Sequence, residues 1–291
     1  SRRSRSAERH RRRDLAEELR EVFERVNFHR HLSLNDVELS PNEIQLSITG
    51  NAIAQGMALV GAVFSRVQQL EKMIVRTAQR INAKPFGKFT SSDLYSLYMS
   101  PPRSGSFAVT LRIGEPQQMQ LPLVDNSPQV IDEVIFNLSL LNENRLEDLE
   151  HTINDRLYLE SFLGLAKAIA PDGDNVRMVG LTAMRQGSEA SVGLSVKSRD
   201  IKPAPIEVQS AETQQDESEN IQITGELRFA EKMQKNRIKL LDDTGKRHTI
   251  EISEAIAEDV VRPYFGMRVT VDVVRVGGRR LIYRDINPAI I

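Results

Sequence analysis

The chain has 291 residues, enough for two domains that each bury a core. The absence of cysteine excludes disulfide bonds, thiolate zinc sites and a cysteine nucleophile, and it fits a cytoplasmic protein. Lys and Arg (39) nearly balance Asp and Glu (40), but residues 1–34 carry ten bases and six acids, residues 35–220 carry 16 and 24, and residues 221–291 carry 13 and ten. Two basic ends around an acidic middle indicate an anionic partner or the acidic middle of a second copy.

Residues 1–13 form a basic arm with seven arginines and one acid, and no apolar stretch follows it, so we expect no secretory signal. Arg11, Arg12 and Arg13 are candidate phosphate contacts, because neutralising a phosphate releases its counterions. The alternative is a solvated terminus without a partner. An amphipathic helix is predicted over residues 14–26, at the start of a first domain that spans residues 14–200.

One long helix is predicted for residues 51–82. Apolar side chains recur there every three or four residues, and Pro85 ends the pattern. The nearly uncharged first half is shorter than the about 20 apolar residues of a membrane span, so we expect a buried central helix and no membrane segment. Arg66, Arg76 and Arg80, in the charged second half, are the predicted interface with a protein partner or a second copy.

The other patterns of the first domain predict a mixture of hairpins and helices. They are a hairpin at 36–48, a strand at 106–113, a helix from Ser127, helical segments at 145–153 and 155–169, and strands at 176–184 and 190–196. This order lacks regular β–α–β repetition. It is typical of an α+β domain in which helices pack on an antiparallel sheet around the long helix.

Three groups of polar residues have the spacing of parts of a metal or catalytic site. They are His29 with His31, Glu147 with His151 and Asp155, and Asp200 with Lys202 and the upstream Asp174. The first group lacks a third ligand, and the second is typical of a solvated helix face. The third matches half of a metal-dependent nuclease motif but lies beside prolines that indicate a linker. We therefore predict no metal, no cofactor and no catalytic residue.

The remaining chain is predicted to be a linker and a second domain. Residues 201–220 are a flexible acidic linker, because from residue 204 onward they contain acids but no Lys or Arg. Residues 221–291 show strands at 221–229, 237–241 and 248–252, a helix from Ser253, and strands at 267–276 and 280–286. Three strands, a helix and two strands are the order of an OB-like small β-barrel.

The predicted barrel has basic residues suited to nucleic-acid contact. The candidates are Lys235, Arg237, Lys239, Arg279 and Arg280. Its second and third strands contain no aromatic side chain, and stacking on bases requires one. The pattern therefore favours contact with a nucleic-acid backbone over reading of bases.

Three short segments carry a resemblance to other proteins. Gly105-Ser106-Phe107 opens an alternating strand, and the barrel contains Arg262-Pro263-Tyr264-Phe265 and Tyr283-Arg284-Asp285-Ile286. With the Leu-rich helical stretch between them, this pattern resembles uncharacterised bacterial proteins of mobile-element and phage-defence loci over much of the chain. The resemblance implies a subunit of an antiviral defence system, and it transfers no functional residue to this chain.

These observations favour a non-enzymatic accessory or regulatory subunit of a bacterial multi-protein complex. It would act through contacts with a protein partner or a second copy, and through binding of a nucleic-acid backbone. Two alternatives stay open: a metal-dependent nuclease or hydrolase, and a sequence-tolerant nucleic-acid-binding protein. The sequence favours a non-enzymatic protein, because it contains no catalytic motif. It does not exclude an enzyme, because an active site assembled from distant residues leaves no local motif.

Overall fold

The computed structural model describes residues 39–54, 57–86, 97–99, 107–114, 126–185, 187–201, 219–231, 237–277 and 280–289. Several predictions of the sequence lie outside these ranges. They concern the basic arm with Arg11, Arg12 and Arg13, the helix at 14–26, His29 and His31, most of the 201–220 linker, Lys202, Lys235 and Arg279. The described residues form a mixed α+β structure, which we divide into a body (39–201) and a barrel (219–289).

The body contains a five-stranded antiparallel sheet. Its strands are β1 (Glu43–Thr49), β4 (Leu97–Met99), β5 (Phe107–Ile113), β6 (Met178–Arg185) and β7 (Ser188–Leu194), while β2 (Ile53–Ala54) and β3 (Met57–Ala58) form a separate ribbon. The spatial order is β4-β5-β1-β6-β7, so β1 pairs with β5 on one side and with β6 on the other. The prediction that β1 is one arm of a hairpin at 36–48 is therefore wrong, because both edges of β1 are paired with other strands; residues 36–38 of the predicted hairpin lie outside the described residues.

Four helices complete the described part of the body: α1 (Val60–Ile81), α2 (Ser127–Asn142), α3 (Leu146–Thr152) and α4 (Arg156–Ile169). Ile44, Leu46 and Ile48 of β1 are fully buried in the same core as Leu70 and Ile74 of α1. The alternation of β1 and the three-and-four spacing of α1 thus supply two faces of one hydrophobic core. None of the helices in the described ranges is long and apolar enough to cross a membrane.

Helix α1 begins at Val60, so the prediction of a helix from residue 51 is wrong for the described residues 51–54 and 57–59. The chain turns at Gly50, directly before the predicted helix, and the φ of +148° at this residue is a conformation that favours glycine. An added Cβ at Gly50 would lie 2.3 Å from the carbonyl oxygen of Asn175. The same carbonyl accepts a hydrogen bond from the Ala52 backbone amide at 2.8 Å. Tertiary backbone contacts therefore hold residues 50–52 out of the helix, and they override the local helical spacing.

The later helices begin where the sequence predicts. Helix α2 starts at Ser127 with Pro128 in its first turn, a position that does not need the missing amide hydrogen. Asp155 precedes α4, and its Oδ1 accepts from the amides of Leu157 (2.9 Å) and Tyr158 (3.2 Å). This contact satisfies two of the unpaired donors at the helix start.

The C-terminal residues form a closed five-stranded β-barrel, as the sequence predicted. Its strands are β8 (Glu219–Glu231), β9 (Arg237–Asp242), β10 (Arg247–Glu251), β11 (Arg268–Val276) and β12 (Arg280–Pro288), in the order β10-β12-β11-β8-β9. Only β10 and β12 are parallel among the described pairs. Gly225 lies where β8 meets β9, and an added Cβ there would be 2.2 Å from the Leu241 carbonyl oxygen. The close crossing of these strands therefore requires glycine.

The connection between β10 and β11 contains the barrel's helix. It begins as α5 (Glu254–Ile256) and continues as a π-helical turn (Ala257–Val261) and a 3₁₀ turn (Arg262–Tyr264). The Ser253 hydroxyl accepts from the Ile256 amide at 3.3 Å and caps the first turn, as the sequence predicted. This helical connection faces the body.

A buried ion pair joins the body to this helical connection. Arg76 of α1 donates to both carboxylate oxygens of Asp259, from Nε to Oδ2 at 2.8 Å and from Nη2 to Oδ1 at 3.0 Å. The Ser161 hydroxyl of α4 donates to the same carboxylate at 2.6 Å. Gln79 accepts from Arg76 Nη1 at 3.0 Å, and the Phe86 ring lies 4.3 Å from the guanidinium carbon. Both charges are thus paired by several groups in a site from which water is excluded.

Two further contacts fix how the barrel sits on α4. Gly164 leaves room for Val260, because an added Cβ would lie 2.2 Å from Val260 Cγ2. One turn further along α4, Lys167 forms an ion pair with Asp285 of β12. Charge pairing and close helix packing together set one orientation of barrel and body.

Candidate functional site

The outer surface of β9 and β10 carries a row of polar side chains. Ile238 and Leu240 of β9 and Ile250 of β10 are fully buried inside the barrel. Because side chains alternate along a strand, their neighbours point outward. In the antiparallel register Arg237 lies opposite Glu251, and Lys239 lies opposite Thr249. We call these four residues and Arg280 of the adjoining strand β12 the strand face.

Glu251 organises the two arginines of the strand face. Its Oε2 accepts from Arg280 Nη2 at 2.7 Å, and its Oε1 accepts from Arg237 Nη2 at 3.3 Å. The hydrogen bond from Arg280, followed by that from Arg237, lowers the pKa of the Glu251 carboxyl below its ordinary value. One carboxylate therefore positions two guanidinium groups side by side, and the cluster keeps a net positive charge.

The arginines of this cluster remain accessible. The side chain of Arg280 is 56% exposed and that of Arg237 is 39% exposed, so each retains surface for an anion after contacting Glu251. Arginine presents a planar set of donors that matches phosphate oxygens. Lys239, on the same face, is half-buried. The arrangement can therefore hold phosphate groups along the strands.

The net positive charge of the barrel lies mainly on the surface that does not contact the body. Residues 221–291 contain 13 Lys and Arg and ten Asp and Glu. Two of those acids, Asp259 and Asp285, are paired with Arg76 and Lys167 of the body. The basic excess of the barrel's remaining surface is therefore larger than its sequence charge indicates, and it favours an anionic partner.

The structure brings together three of the residues predicted to contact nucleic acid: Arg237, Lys239 and Arg280 all belong to the strand face. Lys235 and Arg279 lie in the connections before β9 and before β12, outside the described residues. Sequence reasoning missed Glu251 as the residue that positions the arginines. The signal for it was the alternation of β10, which becomes informative only when the strand register is known.

The three arginines predicted to contact another protein all contact the chain itself. Arg66 is buried and donates to the carbonyl oxygens of Ile169 (3.0 Å) and Ala170 (3.2 Å) at the end of α4. Burial is the main cause that lowers the pKa of Arg66. Arg76 is buried against Asp259, as described above. Arg80 forms an ion pair with Glu133 of α2, so these charges join α1 to its own neighbours in the fold.

The described acidic and histidine residues that the sequence suggested as parts of a metal or catalytic site lie on the surface of the body. Asp155 caps α4, and Glu147 and His151 are exposed on α3. The nuclease pattern requires the aspartate to lie on a strand. Asp200 instead lies on a one-turn 3₁₀ helix (Ser198–Asp200). Within the described ranges no group of three or more His, Asp or Glu side chains has an arrangement that could hold a metal ion.

The chain matches no family model, no curated protein and no solved structure.

Proposed function

We propose that this chain is a non-enzymatic accessory subunit whose barrel binds the backbone of a nucleic-acid strand on the strand face. The observation that carries the proposal is the cluster of Arg237, Arg280 and Glu251 beside Lys239 on the outside of a closed barrel. Phosphate groups supply most of the affinity in sequence-tolerant nucleic-acid binding, and exposed guanidinium groups are suited to them.

The barrel topology supports the same proposal. We infer an OB-like barrel, because three strands, a helix and two strands occur in that order and close on themselves. In OB-folds the second and third strands, with the 1–2 and 4–5 loops, are a common binding surface for oligonucleotides. Here those strands are β9 and β10, and the corresponding connections carry Lys235 and Arg279.

The lack of aromatic residues on this surface defines the kind of contact. Neither β9 nor β10 contains Phe, Tyr or Trp, so these two strands offer bases no ring on which to stack. We therefore expect binding that follows the strand backbone and tolerates sequence. The buried contacts of Arg76 and Lys167 would hold the barrel against the body, so that a partner bound to the body has a fixed relation to the strand. A place in a bacterial defence complex stays part of this proposal.

Fluorescence anisotropy on the full chain tests the strand face directly. Labelled single-stranded DNA and RNA of about 20 nucleotides are titrated at several salt concentrations with the wild type and with the double variant Lys239→Glu and Arg280→Glu. Each phosphate contact on a single strand contributes about 0.7 to the slope of log affinity against log salt. Loss of two contacts is therefore expected to weaken binding at low salt and to reduce the slope by about 1.4.

The control is the double variant Lys197→Glu and Arg199→Glu, which makes the same charge change at exposed residues of the body. Equal weakening in both double variants would show that only the overall charge matters. No binding of the wild type to either strand at about 50 mM salt would remove nucleic acid as the ligand of the strand face.

A further inference from the structure

The barrel has an open mouth at one end, which shares Thr249 with the strand face. It forms because β8 pairs with β9 only from Gly225 onward, so that residues 219–224 have no strand beside them on that side among the described residues. The β9–β10 turn borders the opening on the other side. The result is a cavity of about 640 Å³ at the mouth, which is within the usual range for a small-molecule site.

The acids of the mouth are already occupied by the chain's own donors. Oδ1 of Asp242 accepts from the hydroxyl of Thr244 (2.6 Å) and from the backbone amides of Thr244 (3.0 Å) and Lys246 (2.9 Å). Its Oδ2 is 2.6 Å from Nε2 of His248. Asp243 accepts from Arg268 at 2.5 Å. These carboxylates are therefore compensated inside the protein and leave little negative potential for a ligand.

The bases of the turn are, in contrast, available. Lys246 and Arg247 are adjacent, exposed and part of the cavity wall. Their side chains form no hydrogen bond or ion pair with any residue that the structure describes. The mouth therefore has two free cations at its rim above a set of neutralised acids. This imbalance attracts an anionic group.

The rest of the wall differs from the rim in chemistry. Ile221, Ile223 and Leu281 provide apolar surface, and the polar residues Thr224 and Thr249 also line the cavity. A ligand that fits would have an anionic end, a polar middle and a flat or apolar end. A nucleoside phosphate has these three parts in one molecule of suitable size. An acidic peptide would use the cations but would leave the apolar wall unoccupied.

We propose that the barrel mouth binds a nucleoside phosphate, with its phosphate at Lys246 and Arg247 and its base against Ile221, Ile223 and Leu281. The ligand is either a free nucleotide or the phosphorylated end of a strand, since both present the same chemistry. The site does not depend on strand-face binding. Thr249 belongs to both surfaces, so a strand on β9 and β10 would have its end close to the mouth.

Isothermal titration calorimetry of the full chain tests the site. The probes are AMP, UMP, the matching nucleosides, inorganic phosphate, and a short oligonucleotide with and without a 5′-phosphate or a 3′-phosphate. We expect a monophosphate or a phosphorylated end to bind at least about tenfold more tightly than its unphosphorylated counterpart. The double variant Lys246→Glu and Arg247→Glu should remove that preference, while Lys197→Glu with Arg199→Glu should keep it.

The outcomes distinguish a free nucleotide from a phosphorylated strand end, and they distinguish the mouth site from the strand face. Preference for free monophosphates identifies a nucleotide site, and preference for phosphorylated ends alone identifies a strand-end site; both support the proposal. Lys239→Glu with Arg280→Glu should leave monophosphate binding unchanged, so the monophosphate titrations test this site independently of the strand face. The proposal is overturned if no phosphorylated probe binds, if Lys246→Glu with Arg247→Glu has no effect, or if inorganic phosphate binds as tightly as the nucleotides.

Discussion

Arg76 and Asp259 are 183 residues apart in the chain and form a buried bidentate ion pair, with N–O distances of 2.8 and 3.0 Å. Arg76 belongs to the longest described helix of the body, and Asp259 belongs to the helical connection of the barrel. Together with the ion pair of Lys167 with Asp285, the pair therefore joins the barrel to the body. Since the carboxylate also accepts from Ser161, three elements meet at one side chain.

The first prediction concerns this pair. Asp259→Ala leaves the Arg76 charge buried without its partner, and such a change typically costs about 3–5 kcal/mol of unfolding free energy. Arg76→Met should have a similar effect. The double variant Arg76→Met with Asp259→Leu removes both charges, so it should be less destabilised than the sum of two single changes. Urea unfolding measures all of these values. Purely additive free energies would contradict the interpretation that the two residues are coupled.

The second prediction concerns the close approach of α4 and the barrel. Alanine normally stabilises a helix interior by about 1 kcal/mol relative to glycine. At Gly164 the added methyl group would lie 2.2 Å from Val260 Cγ2, and overpacking of this kind costs about 1–3 kcal/mol. Because Val260 is β-branched and cannot easily turn away, we expect Gly164→Ala to be destabilising. Thermal unfolding of this variant measures the effect.

Gly61→Ala is the matched control for Gly164→Ala, since it makes the same change in helix α1 where nothing lies within 4 Å of the added atom. Gly61→Ala should be neutral or stabilising. Adding Val260→Ala to Gly164→Ala should restore part of the lost stability. If Gly164→Ala behaves like Gly61→Ala, the packing between α4 and the barrel is looser than the distance indicates.

The third prediction is a pH dependence set by Asp242. The Thr244 hydroxyl, the His248 ring and two backbone amides hold the pKa of its carboxyl well below the ordinary value near 4. A lowered pKa in the folded state means that the stabilisation is complete above the unfolded pKa and is lost as the pH falls toward the folded pKa. Barrel stability should therefore decrease below about pH 4.

Denaturant unfolding between pH 5 and about pH 2 measures this dependence. Asp242→Asn should flatten the curve in that window, and Thr244→Ala should flatten it in part, because the hydroxyl is the largest cause of the lowered pKa. An unchanged slope in Asp242→Asn would show that other carboxyl groups control acid unfolding of the barrel.

The sequence predicted most of the barrel because apolar and polar residues alternate over much of each strand and Gly277 marks a tight hairpin. It predicted the start of α2 for a similar local reason, since Pro128 is favourable only in the first turn. The prediction of the long helix was wrong for residues 51–54 and 57–59. Their conformation depends on backbone contacts at Asn175, more than 100 positions away, which no local pattern contains.

The candidate site was predictable in part. The position of Arg237 and Lys239 on one face of β9 follows from strand alternation, whereas the role of Glu251 depends on the register between two strands. The contacts of Arg76 were not predictable. Its position in the charged half of the helix predicts an exposed side chain, and its partner Asp259 is 183 residues away in the chain. The mouth cavity was missed for the same reason: it results from where β8 stops pairing with β9.

The last prediction tests whether Glu251 limits the affinity of the strand face. Glu251→Gln keeps the size of the side chain and removes the charge that Arg237 and Arg280 share. The face gains one positive charge, so single-stranded nucleic acid should bind more tightly at low salt. The slope of log affinity against log salt should steepen by up to about 0.7, the contribution of one phosphate contact.

Fluorescence anisotropy over the same salt series measures this change, and Glu189→Gln on the exposed edge strand β7 is the charge-matched control. A larger effect at Glu251 than at Glu189 places the nucleic acid on the strand face and not on the protein surface in general. Weaker binding of Glu251→Gln would contradict the prediction that the charge of Glu251 limits the affinity. It would show that holding Arg237 and Arg280 in place contributes more to binding than the carboxylate charge costs.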